Sequence, residues 1–152
     1  MKHNMSNLSP QERANKCAQI MFANDTASQG LGMQLDEIAP GRAVLSMQIR
    51  SDMLNGHRIA HGGFIFTLAD SAFAFACNSY NRITVAQQNQ ITYVAPGKDG
   101  ETLIATATET TSTGRSGTYD VVVTGESGRT IALMRGLSRT VKGTHFDEED
   151  TQ

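Results

Sequence analysis

The chain has 152 residues, of which 39% are hydrophobic and 18% are charged, and its formal net charge is −2. This composition is typical of a single folded domain with its own core, and it argues against a disordered or membrane-embedded chain. The charge balance and the lack of any cluster of Lys and Arg give no reason to expect nucleic acid or an anionic membrane as a partner.

The cysteines and the N-terminal segment indicate the compartment. We expect Cys17 and Cys77 to be free thiols in a reducing cytosol. Residues 1–15 are polar and lack the apolar core of a signal peptide. The long uncharged run in the middle of the chain is shorter than a membrane-spanning helix and contains an acid. We therefore expect a cytoplasmic protein without a membrane span.

The first predicted element is a helix that begins with a capping box. Ser9 can cap the helix, Pro10 suits its first turn, and Glu12 lies at the position that completes the box. Small and apolar residues then recur at helical spacing, and we expect the helix to end near Asn24.

Strands make up most of the remaining chain. The predicted strands combine β-branched residues with period-two alternation, and they cover residues 33–38, 43–49, 84–94, 102–111, 118–125 and 130–141. Turns rich in Gly and Pro separate neighbouring strands, at residues 40–42, 96–100, 114–117 and 127–129.

A second long helix is predicted over residues 62–78, after an irregular loop at 51–60. A helix that is apolar over most of its surface must be covered nearly all round. A single curved antiparallel sheet wrapped around the helix would cover it. We predict one α+β domain spanning residues 1–152, with disordered tails at 1–8 and 143–152.

The central helix contains one isolated carboxylate. Between Arg58 and Arg82, Asp70 is the only residue with a formal charge. An ionised carboxylate in apolar surroundings is costly unless it has a partner, and chains that keep one there usually use it. Asp70 is therefore the first candidate for chemistry.

The same helix begins with His61, Gly62 and Gly63. Glycine lets the backbone approach a ligand closely, and the first N–H groups of a helix lack partners and lie at its positive end. Together these properties predict a site for a carbonyl oxygen that becomes an oxyanion.

The spacing of the two features predicts a dimer. Asp70 follows Gly62 by eight residues, which is about 12 Å along a helix. A reacting carbonyl needs its oxyanion donor and its base or nucleophile each within about 3 Å. One chain cannot supply both, whereas two antiparallel copies can. We therefore expect a homodimer with composite active sites.

Several motifs together resemble a known family. They are Leu-Asn-Gly-His at 54–57, His-Gly-Gly at 61–63, Leu-Ala-Asp at 68–70, Ala-Phe-Ala at 72–74 and Cys-Asn at 77–78. This pattern resembles the hotdog-fold thioesterases, and more closely the hydroxyphenylacetyl-CoA thioesterases of phenylacetate degradation, over about residues 17–143.

The resemblance implies a hotdog fold, in which an antiparallel sheet wraps a long helix and dimers commonly pair into tetramers. It implies hydrolysis of aryl-acyl-CoA thioesters, with Asp70 as the catalytic carboxylate, acting either as general base on water or as nucleophile. The Gly62 N–H would bind the thioester oxygen, Asn55 would place the carbonyl or the water, and His61 would orient neighbouring groups. The substrate-binding residues would be Gly63, Gly114, Arg115 and Ser116.

Two other functions remain open at this point. One is a hotdog hydratase or dehydratase that acts on acyl thioesters, which His61 would serve, and the other is a non-catalytic acyl-CoA-binding protein. His57 and His61 are four residues apart, but glycines bracket them and no suitable carboxylate follows, so we expect no metal site. We expect no cofactor, since coenzyme A is part of the substrate.

Overall fold

The computed structural model describes residues 8–148. Helix α1 spans Pro10–Asn24, and Ser9 caps it as predicted. The Ser9 hydroxyl accepts the Glu12 N–H at 3.1 Å, while the Glu12 carboxylate accepts the Ser9 N–H at 3.4 Å. A short helix that the sequence did not predict, α2 (Thr26–Gly30), follows directly after its cap at Asp25.

Six strands form one antiparallel sheet. They are β1 (Gln34–Ala39), β2 (Arg42–Gln48), β3 (Thr84–Tyr93), β4 (Thr102–Thr113), β5 (Ser116–Thr124) and β6 (Thr130–Thr140). Their spatial order is β1-β2-β4-β5-β6-β3, which leaves β1 and β3 at the two edges. Two one-turn 3₁₀ helices, Ser51–Met53 and Glu126–Gly128, lie in the connections.

The central helix α3 (Gly62–Cys77) packs against the inner face of this sheet. On the sheet, buried residues alternate with more exposed ones: Leu45 and Met47 of β2 are buried, whereas Ser46 between them is partly exposed. The Phe73 ring of α3 lies 5.5 Å from the Tyr119 ring of β5, measured between centroids. The α+β hotdog architecture predicted from the sequence is confirmed.

The two sheet edges have different surroundings. Helix α1 packs against β1, and the Gln11 side-chain amide donates to the Ile38 carbonyl at 2.7 Å. Strand β3 pairs with β6 on one side, and within residues 8–148 no strand pairs with its other side.

The C-terminal segment is ordered beyond the predicted end of the domain at Gly143. His145 Nε2 lies 2.9 Å from the Asn78 side-chain oxygen, just past the end of α3. Glu148 forms an ion pair with Arg13 of α1 at 2.9 Å. Residues 143–148 therefore pack against the domain, because their polar groups find partners on α1 and just past the end of α3. In the predicted N-terminal tail, residues 1–8, Leu8 is described and its carbonyl accepts the Arg13 guanidinium at 3.4 Å. Residues 1–7 and 149–152 lie outside the described residues.

A buried ion pair anchors the loop between β5 and β6. The Glu101 side chain is 1% exposed and accepts hydrogen bonds from the Glu126 N–H at 2.8 Å and from the Arg129 guanidinium at 3.1 Å. Burial on its own raises the pKa of Glu101, but these donors outweigh burial and hold the pKa below its ordinary value.

We expect Glu101→Gln to lower the free energy of unfolding by about 3 kcal/mol at neutral pH, because an amide nitrogen would face these donors. Since the folded pKa is lowered, the carboxylate stabilises the fold above the ordinary glutamate range. That contribution is lost as pH falls through the folded value. The difference between parent and variant should therefore shrink below about pH 4. Urea unfolding at several pH values measures it.

Asp120→Asn is the matched control. Asp120 forms an ion pair with Arg135 at 2.8 Å, but both side chains are about half exposed. An exposed pair contributes less than about 1 kcal/mol. Equal losses of stability in the two variants would contradict a special role for the buried pair.

Candidate active site

His61 caps the start of α3. Its Nδ1 accepts the Gly63 N–H at 2.9 Å, so a neutral His61 ring has its proton on Nε2. The cap leaves one free donor at the helix start, because within residues 8–148 no hydrogen bond uses the Gly62 N–H. The predicted oxyanion donor is therefore available.

Tyr93 of β3 covers this helix start. Its hydroxyl donates to the Gly62 carbonyl at 2.9 Å. A Cβ added at Gly62 would lie 3.0 Å from the Tyr93 ring, so the absence of a side chain allows this close contact. A Cβ added at Gly63 would similarly lie 3.0 Å from His61 Nδ1. A side chain at either glycine would therefore require the neighbouring ring to shift.

Asn55 presents a second donor near Gly62. Its side-chain oxygen accepts the N–H groups of His57 at 3.0 Å and Ile59 at 3.3 Å, which closes a tight turn. In the part of the chain that the structure describes, its side-chain NH₂ makes no hydrogen bond. Asn55, Gly62 and Tyr93 line one open pocket of about 400 Å³. Both residues with a free N–H donor, Asn55 and Gly62, therefore line the same pocket.

Asp70 lies elsewhere on the same helix. It is partly buried, and the Asn89 side-chain amide donates to its Oδ1 at 2.8 Å. Asp70 does not line the pocket at Gly62, since two turns of helix separate the two residues. Within one chain the structure therefore groups Asn55, His61 and Gly62, and it leaves Asp70 apart from them.

The predicted substrate-binding turn lies near the other end of α3. Gly114 has a φ of +61°, a conformation that favours glycine, and with Arg115 it forms the two-residue turn between β4 and β5. Ser116 lines a polar pocket together with Cys77, the last residue of α3. Gly114, Arg115 and Ser116 are thus not brought to Gly62 within one chain.

Comparisons with known proteins identify the family. The thioesterase superfamily model matches residues 57–132. The acyl-coenzyme A thioesterase PaaI of Escherichia coli strain K12 is 40% identical over 127 residues, which cover 84% of this chain and 91% of the relative. The chain belongs to the thioesterase superfamily. It is a thioester hydrolase, as its sequence predicted.

Solved structures agree with this thioesterase assignment. The E. coli PaaI protein from the phenylacetic acid degradation operon matches with a TM-score of 0.88 and 39% identity, covering 90% of this chain and 99% of that one. A variant of the phenylacetic acid degradation protein PaaI from Thermus thermophilus matches with a TM-score of 0.72 and 38% identity. The second match covers 75% of this chain and 97% of that one.

The sequence did not predict two residues that contact the candidate site residues, Asn89 beside Asp70 and Tyr93 beside Gly62. Both lie on β3, where a bulge between Ala86 and Gln88 changes the pairing register with β6. After the bulge, Asn89 and Ile91 are partly buried while their neighbours are exposed. The alternation after residue 88 could have marked Asn89 as facing the helix, but nothing local indicated that it would reach Asp70.

Within residues 8–148 no helix is long and apolar enough to cross a membrane. The same residues contain no group of three His, Cys, Asp or Glu side chains arranged to hold a metal ion.

Proposed function

We propose that this thioesterase hydrolyses aryl-acyl-CoA thioesters of the phenylacetyl- or hydroxyphenylacetyl-CoA type to the free acid and coenzyme A. The observation that carries the proposal is the unused Gly62 N–H at the start of a helix that also bears the isolated Asp70. The E. coli relative is an acyl-coenzyme A thioesterase, and its solved structure comes from a phenylacetic acid degradation operon, which supports the aryl substrate class.

The working unit in this proposal is a homodimer joined along β3. This strand is ten residues long, contains no charged residue and has a free edge within the described chain. Long uncharged edges usually pair with another strand. A two-fold axis beside β3 would continue the sheet and set the two α3 helices antiparallel. The partner subunit's Asp70 would then approach Gly62.

We further propose that two dimers associate into a tetramer. The outer face of the sheet exposes Ile104, Val122 and Leu133 on three adjacent strands, which supports a second interface. The free, buried thiols of Cys17 and Cys77 support a cytoplasmic location.

In the proposed reaction, the Gly62 N–H and the Asn55 side-chain NH₂ bind the thioester oxygen and stabilise the negative charge that develops on it. The partner's Asp70 either removes a proton from the attacking water or attacks the carbonyl itself to form an anhydride that water then cleaves. Coenzyme A leaves as its thiolate. His61 keeps the helix start in position through its contact with Gly63.

In the proposed complex, the coenzyme A tail is held by the turn at Gly114, Arg115 and Ser116. Antiparallel α3 helices would carry this turn of the partner subunit towards Gly62. Arg139 lies opposite Ser116 in the β5–β6 register, and Arg82 lines the same pocket as Ser116. Within residues 8–148, Arg82, Arg115 and Arg139 form no ion pair, so they are available for phosphate groups.

Arg115→Ala should raise the KM for an acyl-CoA about fivefold and leave kcat nearly unchanged, because it removes one exposed phosphate contact. The rise should shrink at high salt, since salt screens exposed charges. Steady-state kinetics at two ionic strengths measures both effects. Arg50→Ala removes an arginine that pairs with Asp52, and it serves as the charge control. A KM equal to that of the parent would contradict this placement of coenzyme A.

The test of the proposed function is thiol release from a panel of phenylacetyl, hydroxyphenylacetyl, benzoyl, short aliphatic and long aliphatic acyl-CoAs. We expect turnover to be concentrated on the aryl esters. Turnover concentrated on aliphatic esters would contradict the substrate class. No thiol release from any member, by a protein with intact oligomers, would contradict the activity.

A further inference from the structure

Asn89 is the polar side chain that contacts the Asp70 carboxylate. Its Nδ2 donates to Asp70 Oδ1 at 2.8 Å. Within residues 8–148, Asp70 Oδ2 accepts no hydrogen bond. One carboxylate oxygen is therefore held by strand β3, and the other is left available for chemistry.

The orientation of the Asn89 amide leaves one buried polar atom without a hydrogen bond. Its side-chain oxygen is buried without a hydrogen-bond partner, and it is the one such side-chain atom among the described residues. Buried acceptors without partners are rare because they lose their water contacts and gain nothing in return. Turning the amide over would place this oxygen against the Asp70 carboxylate, and two acceptors repel. The hydrogen bond to Asp70 therefore dictates which way the Asn89 amide points.

Packing beneath Asn89 fixes its position. Asn89 pairs in register with Gly136 of β6. A Cβ added at Gly136 would lie 2.9 Å from the Asn89 side-chain oxygen and 2.8 Å from the Phe73 ring. Only glycine at this position leaves room for both side chains. Strand β6 thus leaves room for the Asn89 side chain at Gly136, and Gly136 brings no charge near Asp70.

We propose that Asn89 is a positioning residue that holds the Asp70 side chain in place with Oδ1 engaged and Oδ2 free for the reaction. This inference rests on the proposed function, since it requires Asp70 to act on the thioester. Cys77 lies two turns further along α3, and burial raises the pKa of its thiol to about 12, so it stays neutral in the assay range.

Asn89→Leu tests the proposal because leucine has a similar shape and no donor. We expect kcat to fall about 100-fold with little change in KM, since the carboxylate loses its fixed geometry. The acidic limb of the kcat/KM profile should move to higher pH, because the ionised form loses a hydrogen bond. Asn89→Asp places a second carboxylate beside Asp70 and should move that limb further. A merely structural role would not move it.

Two controls make the result specific. Asn15→Leu makes the same change at an exposed asparagine of α1, away from β3, and should keep the parental kcat and pH profile. Asp70→Asn is measured in parallel. If Asp70→Asn is inactive while Asn89→Leu retains the parental kcat and acidic limb, this inference fails and the proposed function stands. If Asp70→Asn is fully active, the proposed site itself fails.

A spectroscopic measurement on the parent protein covers the case in which Asn89→Leu does not fold. The side-chain NH₂ resonances of Asn89 in a ¹H–¹⁵N spectrum should shift with pH along the same curve as the acidic limb of activity. They should stop shifting in Asp70→Asn. Resonances that do not respond to pH in the parent would overturn the proposal.

Discussion

Replacing Asp70 with Asn should reduce kcat for acyl-CoA hydrolysis about 10³- to 10⁴-fold, the largest effect that we expect from any single substitution. An amide cannot remove a proton from water and is a poor nucleophile, so either role of the carboxylate is lost. The side chain keeps its shape, and its oxygen can still accept the Asn89 amide that contacts Oδ1 in the parent. The melting temperature and acyl-CoA binding should therefore change little.

Asp52→Asn is the matched control for this substitution. Asp52 is largely exposed and pairs with Arg50 at 3.0 Å on the surface. Its replacement removes one carboxylate from the chain without touching α3, and it should leave thiol release unchanged. An Asp70→Asn protein that hydrolyses acyl-CoA as fast as the parent would show that the reaction does not depend on this carboxylate.

The second large effect concerns the backbone of Gly62. Gly62→Pro removes the N–H that no described residue uses. Proline is well tolerated at the first helical position, and His61 already has the extended backbone that a following proline requires, with φ −61° and ψ 131°. We expect kcat to fall about 10²- to 10³-fold, which is typical of losing one oxyanion donor.

Gly62→Ala separates the loss of the N–H from the addition of a side chain. Both variants place a Cβ 3.0 Å from the Tyr93 ring, so both require that exposed ring to shift. Only the proline removes the donor. Thiol release and circular dichroism of the two proteins should show a far larger loss of kcat for proline at similar helix content. Equal losses would assign the effect to crowding against Tyr93.

Local patterns explain why most of the fold was predictable. The capping box at Ser9 and the alternation of β2 depend on residues close in the chain, and the box appears as predicted. The alternation appears from Leu45 to Gln48, whereas Val44 is buried beside Leu45. The His-Gly-Gly segment also predicted the start of α3 at Gly62, because glycine and an unpaired N–H are local properties.

Features that depend on distant partners were not predictable. Asn89 reaches Asp70 only because the bulge in β3 turns its side chain towards α3. The segment after Gly143 is polar, which predicted a disordered tail. Its Glu148 nevertheless pairs with Arg13, which lies 135 residues away in the sequence. Neither contact leaves a signal in the neighbouring residues.

The most direct test of the composite site is subunit complementation. Asp70→Asn and Gly62→Pro proteins, each nearly inactive alone, are unfolded together in equal amounts and refolded. Random pairing makes half of the dimers mixed, and each mixed dimer has one intact site, so about a quarter of the parental thiol release should return. A mixture that remains as inactive as its two components, although mixed dimers have formed, would contradict a site shared between subunits.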